Sequence, residues 1–429
     1  MTVRHPDPSE REIVRSLRAA WRVYRSEWED LWGMASWSSG SRNYQQAFAS
    51  LPSRLVERTQ GALRERERLA GLLERFHSVP PEERKTLVLS GEEFRSWRFC
   101  EWLIESCHRL VYSDLAQAAE QADCAVSLTE RLPSRVHGEA LINDLKARAW
   151  ACAGETLRVL SDLRSAEEAF SLAGSFVLQG TGDLLEEARI LELKAALRRD
   201  QRRTTEAHRL LEEVIAVYRQ YRDSHLVGRA FIQKGSVHGI SHDLEPAIHY
   251  LRKGLGLLDP SRERCFELTA RHSLMLYLHE SGRHREARFL LTSSATEFVQ
   301  YGGELLSLRL RWLAGKIEAC LGSLGEAEEA LLEAREGFVR LGIGFSAAAV
   351  CLDLAALYAS QGRAAEMRLL AGEMLPVFQS RDLHREAIAA LITFQQAVEM
   401  EKVSARLLTD LRSYLDRAPG EPGLRFETS

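Results

Sequence analysis

A small side chain returns at nearly fixed intervals along this chain, and that recurrence leaves few folds open. Ala166, Ala207, Ala247, Ala287 and Ala327 follow one another at steps of 41, 40, 40 and 40 residues, and a further 40 leads to Met367. Short turns such as Ser281-Gly282-Arg283 and Gln361-Gly362-Arg363 precede these anchors. Residues able to face a neighbouring helix follow at +4 and +7: Phe170 and Ala173, Leu211 and Val214, Leu331 and Ala334. The spacing has a helical period, and no segment sustains strand alternation. About twelve residues before the anchors stands a second small residue, at Gly154, Ala195, Gly235, Gly315 and Ala355. The unit is therefore helix, tight turn, helix, with two small residues that allow close approach. Such units cannot bury their apolar faces alone, so stacking makes the core and end units cap it.

These residues resemble the tetratricopeptide repeat family. Trp150, Gly154, Leu157, Ala166, Phe170 and Ala173 match its pattern of bulky, small and aromatic positions most fully, and the sixth unit retains Ala355 and Tyr358. Asp259-Pro260 falls where the family often places a helix-ending proline. Trp102, Ala118, Ala122 and Ala125 mark an earlier unit. From Ala118 the next anchor is 48 residues on, which predicts longer helices or an insertion around Pro133. A period of 40 exceeds the family's usual value of about 34, and is similar to the long-helix variants found in peptide-binding regulators and scaffolds. The resemblance implies an all-α, right-handed superhelical solenoid of about seven antiparallel helix pairs over residues 95–416. Leu383 to Val398 reads as the first helix of a further unit. Residues 404–417 read as a cap with Asp410, Arg412 and Asp416 outward, and 417–429 as a Pro/Gly-punctuated flexible tail.

In stacked helix pairs the first helix of each pair makes the concave wall. Eighteen residues before the anchors, that helix carries Arg148, Arg189, Arg229, Thr269, Arg309 and Ala349. Further wall positions are Glu155 and Arg158, Glu192 and Arg199, Gln233 and Ser236, His272 and His279, then Trp312 and Lys316. Of 57 basic residues only 7 are Lys, and Arg can grip a carboxylate with two parallel hydrogen bonds. One reading is a groove for an extended or helical peptide, its arginines holding carboxylates or carbonyls and Trp312 offering a flat apolar anchor. The best-known clamp of the family uses Lys and Asn, so its ligand chemistry does not carry over. The other reading makes each Arg a tether to a carboxylate of the next unit, worth about 0–1 kcal/mol apiece.

Residues 1–60 differ in composition: they hold four of the eight tryptophans, at Trp21, Trp28, Trp32 and Trp37. The stretch faintly resembles a Cro/repressor-type helix-turn-helix, with Leu17 and Ala20 on a first helix and Leu31 and Ala35 on a second. Ser41, Arg42, Asn43, Gln45 and Gln46 would then face base edges. The competing reading is a Trp-rich helical cap or partner-docking arm. Residues 61–94 read as a helical connector, with Pro80-Pro81 opening a helix.

Apolar residues at 45% and charged residues at 28% fit a folded chain, and a net charge of −4 gives no field directed at nucleic acid or anionic lipid. The start, MTVRHPDPSEREIV, carries charges where a secretory leader needs an apolar run. The longest apolar stretch, Ala347 to Leu357, is broken by Asp353 and too short to span a bilayer. Seven cysteines without a C-x-x-C pair read as structural thiols in the cytoplasm. Gly315-Lys316 lacks the phosphate-loop glycines, and Gly342, Gly344 and Ala347 read as an interhelix turn. His238 and His242 read as solvated histidines rather than metal ligands. No catalytic pair, metal or cofactor is expected. The leading expectation is a non-enzymatic adaptor or scaffold binding a peptide or protein segment. The alternatives are a transcriptional regulator, with a DNA-binding arm and a peptide-sensing or homodimerising array, and a regulatory subunit docked on an enzyme.

Overall fold

The computed structural model describes residues 68–111, 114–379 and 405–417. The readings of residues 1–60, including Ser41, Arg42, Asn43, Gln45 and Gln46, and those of 383–398 and the tail lie outside them. Among the described residues there are helices and turns and no strand. None of their helices is long and apolar enough to cross a membrane. The chain divides into two compact units, Met1–Leu193 and Lys194–Ser429.

The first unit runs from helical residues 68–77 through α1 (Pro81–Ser90), a 3₁₀ turn (Glu92–Phe94), α2 (Trp97–Leu110), α3 (Leu115–Thr129), α4 (Glu139–Val159) and α5 (Leu163–Val177) into α6 (Leu184–Asp200). The second holds the end of α6, then α7 (Thr204–Gln220), α8 (Ser224–Ile240), α9 (Leu244–Leu255), α10 (Arg264–Glu280), α11 (His284–Tyr301), α12 (Gly303–Leu321), α13 (Leu324–Arg340), α14 (Gly344–Ser360), α15 (Ala364–Gln379) and α16 (Ala405–Arg417). This is an all-α solenoid of tandem helix pairs.

The turns explain the period. Ser161, Arg202, His242, Gly282, Gly322 and Gly362, each five residues before an anchor, all have positive φ, between 56° and 85°. A left-handed residue at a helix end lets the next amide reach back to a carbonyl that the helix leaves unpaired. Thus Asp243 N donates to His238 O at 3.0 Å and Arg283 N to Leu278 O at 2.8 Å, with equivalent bonds at the other four turns. Glycine adopts this conformation without steric cost, whereas Ser161, Arg202 and His242 hold it against the strain of a Cβ. The anchors Ala166, Ala207, Ala247, Ala287 and Ala327 are all 0% exposed. A Cβ added to Gly235 would stand 3.0 Å from the Ala247 carbonyl, and one on Gly315 would stand 2.7 Å from Leu331 Cγ. In these two units the small residue of the first helix lies against the second helix at its anchor, Gly235 at Ala247 and Gly315 at Ala327 and Leu331.

The 48-residue step has a visible cause. A single helical turn, Ser134–His137, is inserted after Pro133, and α4 extends to 21 residues. The described part of the stretch read as a helical connector, residues 68–94, contributes to the core of the first unit. Phe76, Val88 and Phe94 are 0% exposed, and Phe76 packs edge-on against Phe99 at 5.5 Å and Trp102 at 5.9 Å. At the other end α16 buries Leu408, Leu411 and Tyr414 in one cluster with residues of α13, α14 and α15. That amphipathic closure is what an end unit needs.

Candidate ligand-binding face

The first helices carry the predicted wall residues, and adjacent first helices touch through them. In the first unit Arg148 on α4 lies between two carboxylates, Nη1 at 3.3 Å from Glu101 of α2 and Nε at 3.8 Å from Glu186 of α6. Burial works against its charge, but Glu186 and Glu101 outweigh that and hold the guanidinium protonated. Burial likewise pushes Glu101 up, and Arg148 and Arg98 more than reverse it. Glu155 and Arg158, 3% and 8% exposed, form a two-pronged pair at 2.7 and 2.8 Å within α4. Glu192 is also buried. Arg189, half-buried, makes no ion pair or hydrogen bond among the described residues.

In the second unit the wall begins in the same manner. Arg199 bonds Asp200 at 2.8 Å and donates to Gln233 of α8 at 3.3 Å. Arg229 reaches Glu263 at 2.7 Å and lies over the Phe266 ring at 5.4 Å. Thr269 and Ser236 turn back to carbonyls of their own helices, and Ala349 is buried in the core. Arg148, Arg199 and Arg229 thus stand where tethers stand.

Further along, the wall changes. Arg309 is exposed, yet protein surrounds it closely enough that desolvation pushes its guanidinium down. Its backbone carbonyl accepts a hydrogen bond from His272 Nε2 at 3.4 Å. Lys316, two turns on in α12, is half-buried, and neither cation has an ion-pair partner among the described residues. Burial, with Arg309 and Lys316 adding to it, pushes His272 down to about 4 and leaves it neutral. Burial, then Lys316 and His284, do the same to His279, also to about 4. His279 is not presented on the open wall: it is 8% exposed and turned toward His284, with their Nδ1 atoms 3.1 Å apart. Trp312 is not a free apolar plate either. Its Nε1 donates to Asp353 of α14 at 2.6 Å and its ring packs edge-on against Phe338.

The histidines set aside in the sequence are explained structurally. His238 bonds Asp243 at 3.1 Å and stacks on Tyr250, while His242 occupies a left-handed turn position. All seven cysteines are free, five of them buried, with Cys265 and Cys320 exposed.

No protein-family model matches the chain, and no curated protein matches it. Solved structures do. The apo form of RapI is similar over 74% of this chain and 86% of its own, at 14% identity and a TM-score of 0.54. A Rap protein complexed with competence and sporulation factor covers 82% of this chain and 99% of its own, at 13% identity and TM-score 0.49. Aspartyl phosphate phosphatase F from Bacillus subtilis covers 89% and 96%, at 14% identity and TM-score 0.49. At 14% identity the likeness to RapI is one of fold alone.

Proposed function

We propose that the chain is a non-enzymatic adaptor that holds an acidic, extended or helical protein segment against the first-helix face of its second unit. The observation that carries this is the pair Arg309 and Lys316, two cations with no ion-pair partner among the described residues, seven residues apart on α12. Seven residues advance a helix by about 10.5 Å and return to nearly the same face. Carboxylates three residues apart in an extended polyproline-II segment share one face and are separated by roughly 9 Å, so one such segment spans both cations. Neutral His272 between the two helices supplies a polar contact without a further charge. Arg189 offers the same chemistry on the first unit. Arg148, Arg199 and Arg229 serve instead to tie neighbouring repeats.

The test is binding of a fluorescein-labelled peptide bearing two glutamates three residues apart, read by anisotropy against the same peptide with glutamines. The acidic peptide binds the full chain more tightly than its neutral twin. Arg309→Ala combined with Lys316→Ala weakens it by roughly tenfold or more, as loss of charge-assisted contacts does. Equal binding of the two peptides, or no change in the double variant, rules the reading out.

A further inference from the structure

We propose that His279, His284 and Cys320 form a binding site for one borderline-soft divalent cation of the zinc type, with a fourth coordination position left to solvent.

The site follows from the repeat. His279 lies in the last turn of α10 and His284 is the first residue of α11. The turn between them is fixed by Gly282 at φ +81° and by Gly282 N donating to His279 O at 3.0 Å. That turn folds the two imidazoles back on each other and sets Nδ1 against Nδ1 at 3.1 Å. The third ligand comes from the next repeat, where Cys320 occupies the end of α12. The two nitrogens and the sulfur all lie within 4.8 Å of one another.

The chemistry suits a metal better than it suits the metal-free protein. Two neutral imidazoles meeting Nδ1 to Nδ1 can share only one proton, so one ring must donate and the other accept. A cation placed between them satisfies both lone pairs at once. Tetrahedral zinc, with Zn–N about 2.0–2.1 Å and Zn–S about 2.3 Å, separates its ligand atoms by roughly 3.3–3.6 Å. The histidine nitrogens already stand near that spacing. Cys320 is exposed and in no disulfide, so its side chain has room to turn toward the two nitrogens. Nitrogen and thiolate donors together select zinc, cobalt(II) or nickel(II) over magnesium or calcium. A neutral imidazole offers its lone pair to the metal, and the thiol releases its proton to solvent on binding. The metal would fasten α12 to the turn before it, a link available only when the chain is folded, and so raises stability.

The experiment is a cobalt(II) titration of the untagged, reduced, chelator-stripped full chain. The expected result is a near-ultraviolet thiolate-to-cobalt charge-transfer band with tetrahedral visible bands, saturating at one equivalent. Zinc then displaces cobalt and raises Tm. Cys320→Ser abolishes the charge-transfer band and the zinc-induced rise, while Cys265→Ser, at the other exposed thiol, leaves both intact. His284→Gln weakens cobalt binding by roughly tenfold or more, at least the loss seen when only an outer-shell partner is removed. Absence of the band in the unaltered chain overturns the proposal. So does its survival in Cys320→Ser, or a zinc-induced rise in Tm of equal size in that variant.

Discussion

The first-helix faces of the two units begin from the same residue types and end with different physics. In the first unit Arg148 is clasped by Glu101 and Glu186, and Arg158 by Glu155, so most of the positive charge on that wall is already spent on the protein itself. In the second, Arg229 is spent on Glu263, but Arg309 and Lys316 on α12 are not. The difference lies in the neighbouring repeat rather than in the arginines. Thirty-eight residues after Arg148 stands Glu186, and thirty-four after Arg229 stands Glu263. The matching positions after Arg309 are Ala347 and Ile343, which have no charge to offer. A ladder of like residues in a repeat protein is therefore no uniform surface, because each rung is assigned by its neighbour's side chain.

The contrast breaks most visibly at Arg148. Arg148→Ala leaves two half-buried carboxylates facing each other without their shared cation, and removal of one partner from a buried pair costs about 3 kcal/mol. Denaturant unfolding should show that loss, with hydrogen exchange rising first in α2 and α4. A change under about 0.5 kcal/mol would put Arg148 in the class of inert surface charges.

Acid separates the units next. His272 and His279 have folded values of about 4, below the ordinary 6.5. The unfolded chain therefore takes protons that the folded chain refuses. Their stabilising contribution is complete above 6.5 and drains away as pH falls from 6.5 toward 4. Glu101 is held below its ordinary 4.5, so its contribution to the first unit is lost only below that value. At about pH 5, with chelator present, the second unit should be weakened by roughly 2 kcal/mol for each of the two histidines while the Glu101 contribution stands. Segment-resolved hydrogen exchange at neutral and mildly acid pH checks this, and His272→Gln with His279→Gln should flatten the response.

Much of the fold could be read before any coordinates, since close helix approach and left-handed turns are demands on residue size. Ala247 opposite Gly235, or Gly322 before Ala327, states the backbone's requirement in the side chain. Three features were hidden. Phe76, Val88 and Phe94 stand before the forty-residue register begins, so periodicity gave them no role, although they complete the first core. Trp312 looked like an exposed plate, because nothing in its own helix announces Asp353 forty-one residues on. His279, His284 and Cys320 meet only because a turn reverses the chain and the next repeat lies alongside. Their one available signal was register, since Cys320 falls one residue beyond a full period from His279.

Smaller effects sharpen the comparison. Arg229→Ala should cost about 1 kcal/mol, a partly exposed charge-assisted bond, and leave acidic-peptide affinity unchanged, because its guanidinium is already engaged by Glu263. Equal loss of stability and binding would mean that tether and ligand compete for one cation.

The smallest stability effect is the most informative one. Arg309 has no ion-pair partner among the described residues, and desolvation already works against its protonated form. Arg309→Ala should therefore shift stability by no more than about 0.5 kcal/mol in either direction, as ordinary surface changes do. Installing a partner is the complementary change. Ala347→Glu is unsuitable because Ala347 is 0% exposed, but Ile343→Glu places a carboxylate at the partly buried spacing that Glu263 holds from Arg229. If the neighbour decides each rung, Ile343→Glu should weaken acidic-peptide binding nearly as much as Arg309→Ala does, while leaving Arg309 itself in place. Undiminished affinity in Ile343→Glu, alongside lost affinity in Arg309→Ala, would show that α12 aims its cation away from α14 and that the carboxylate spacing is not the rule.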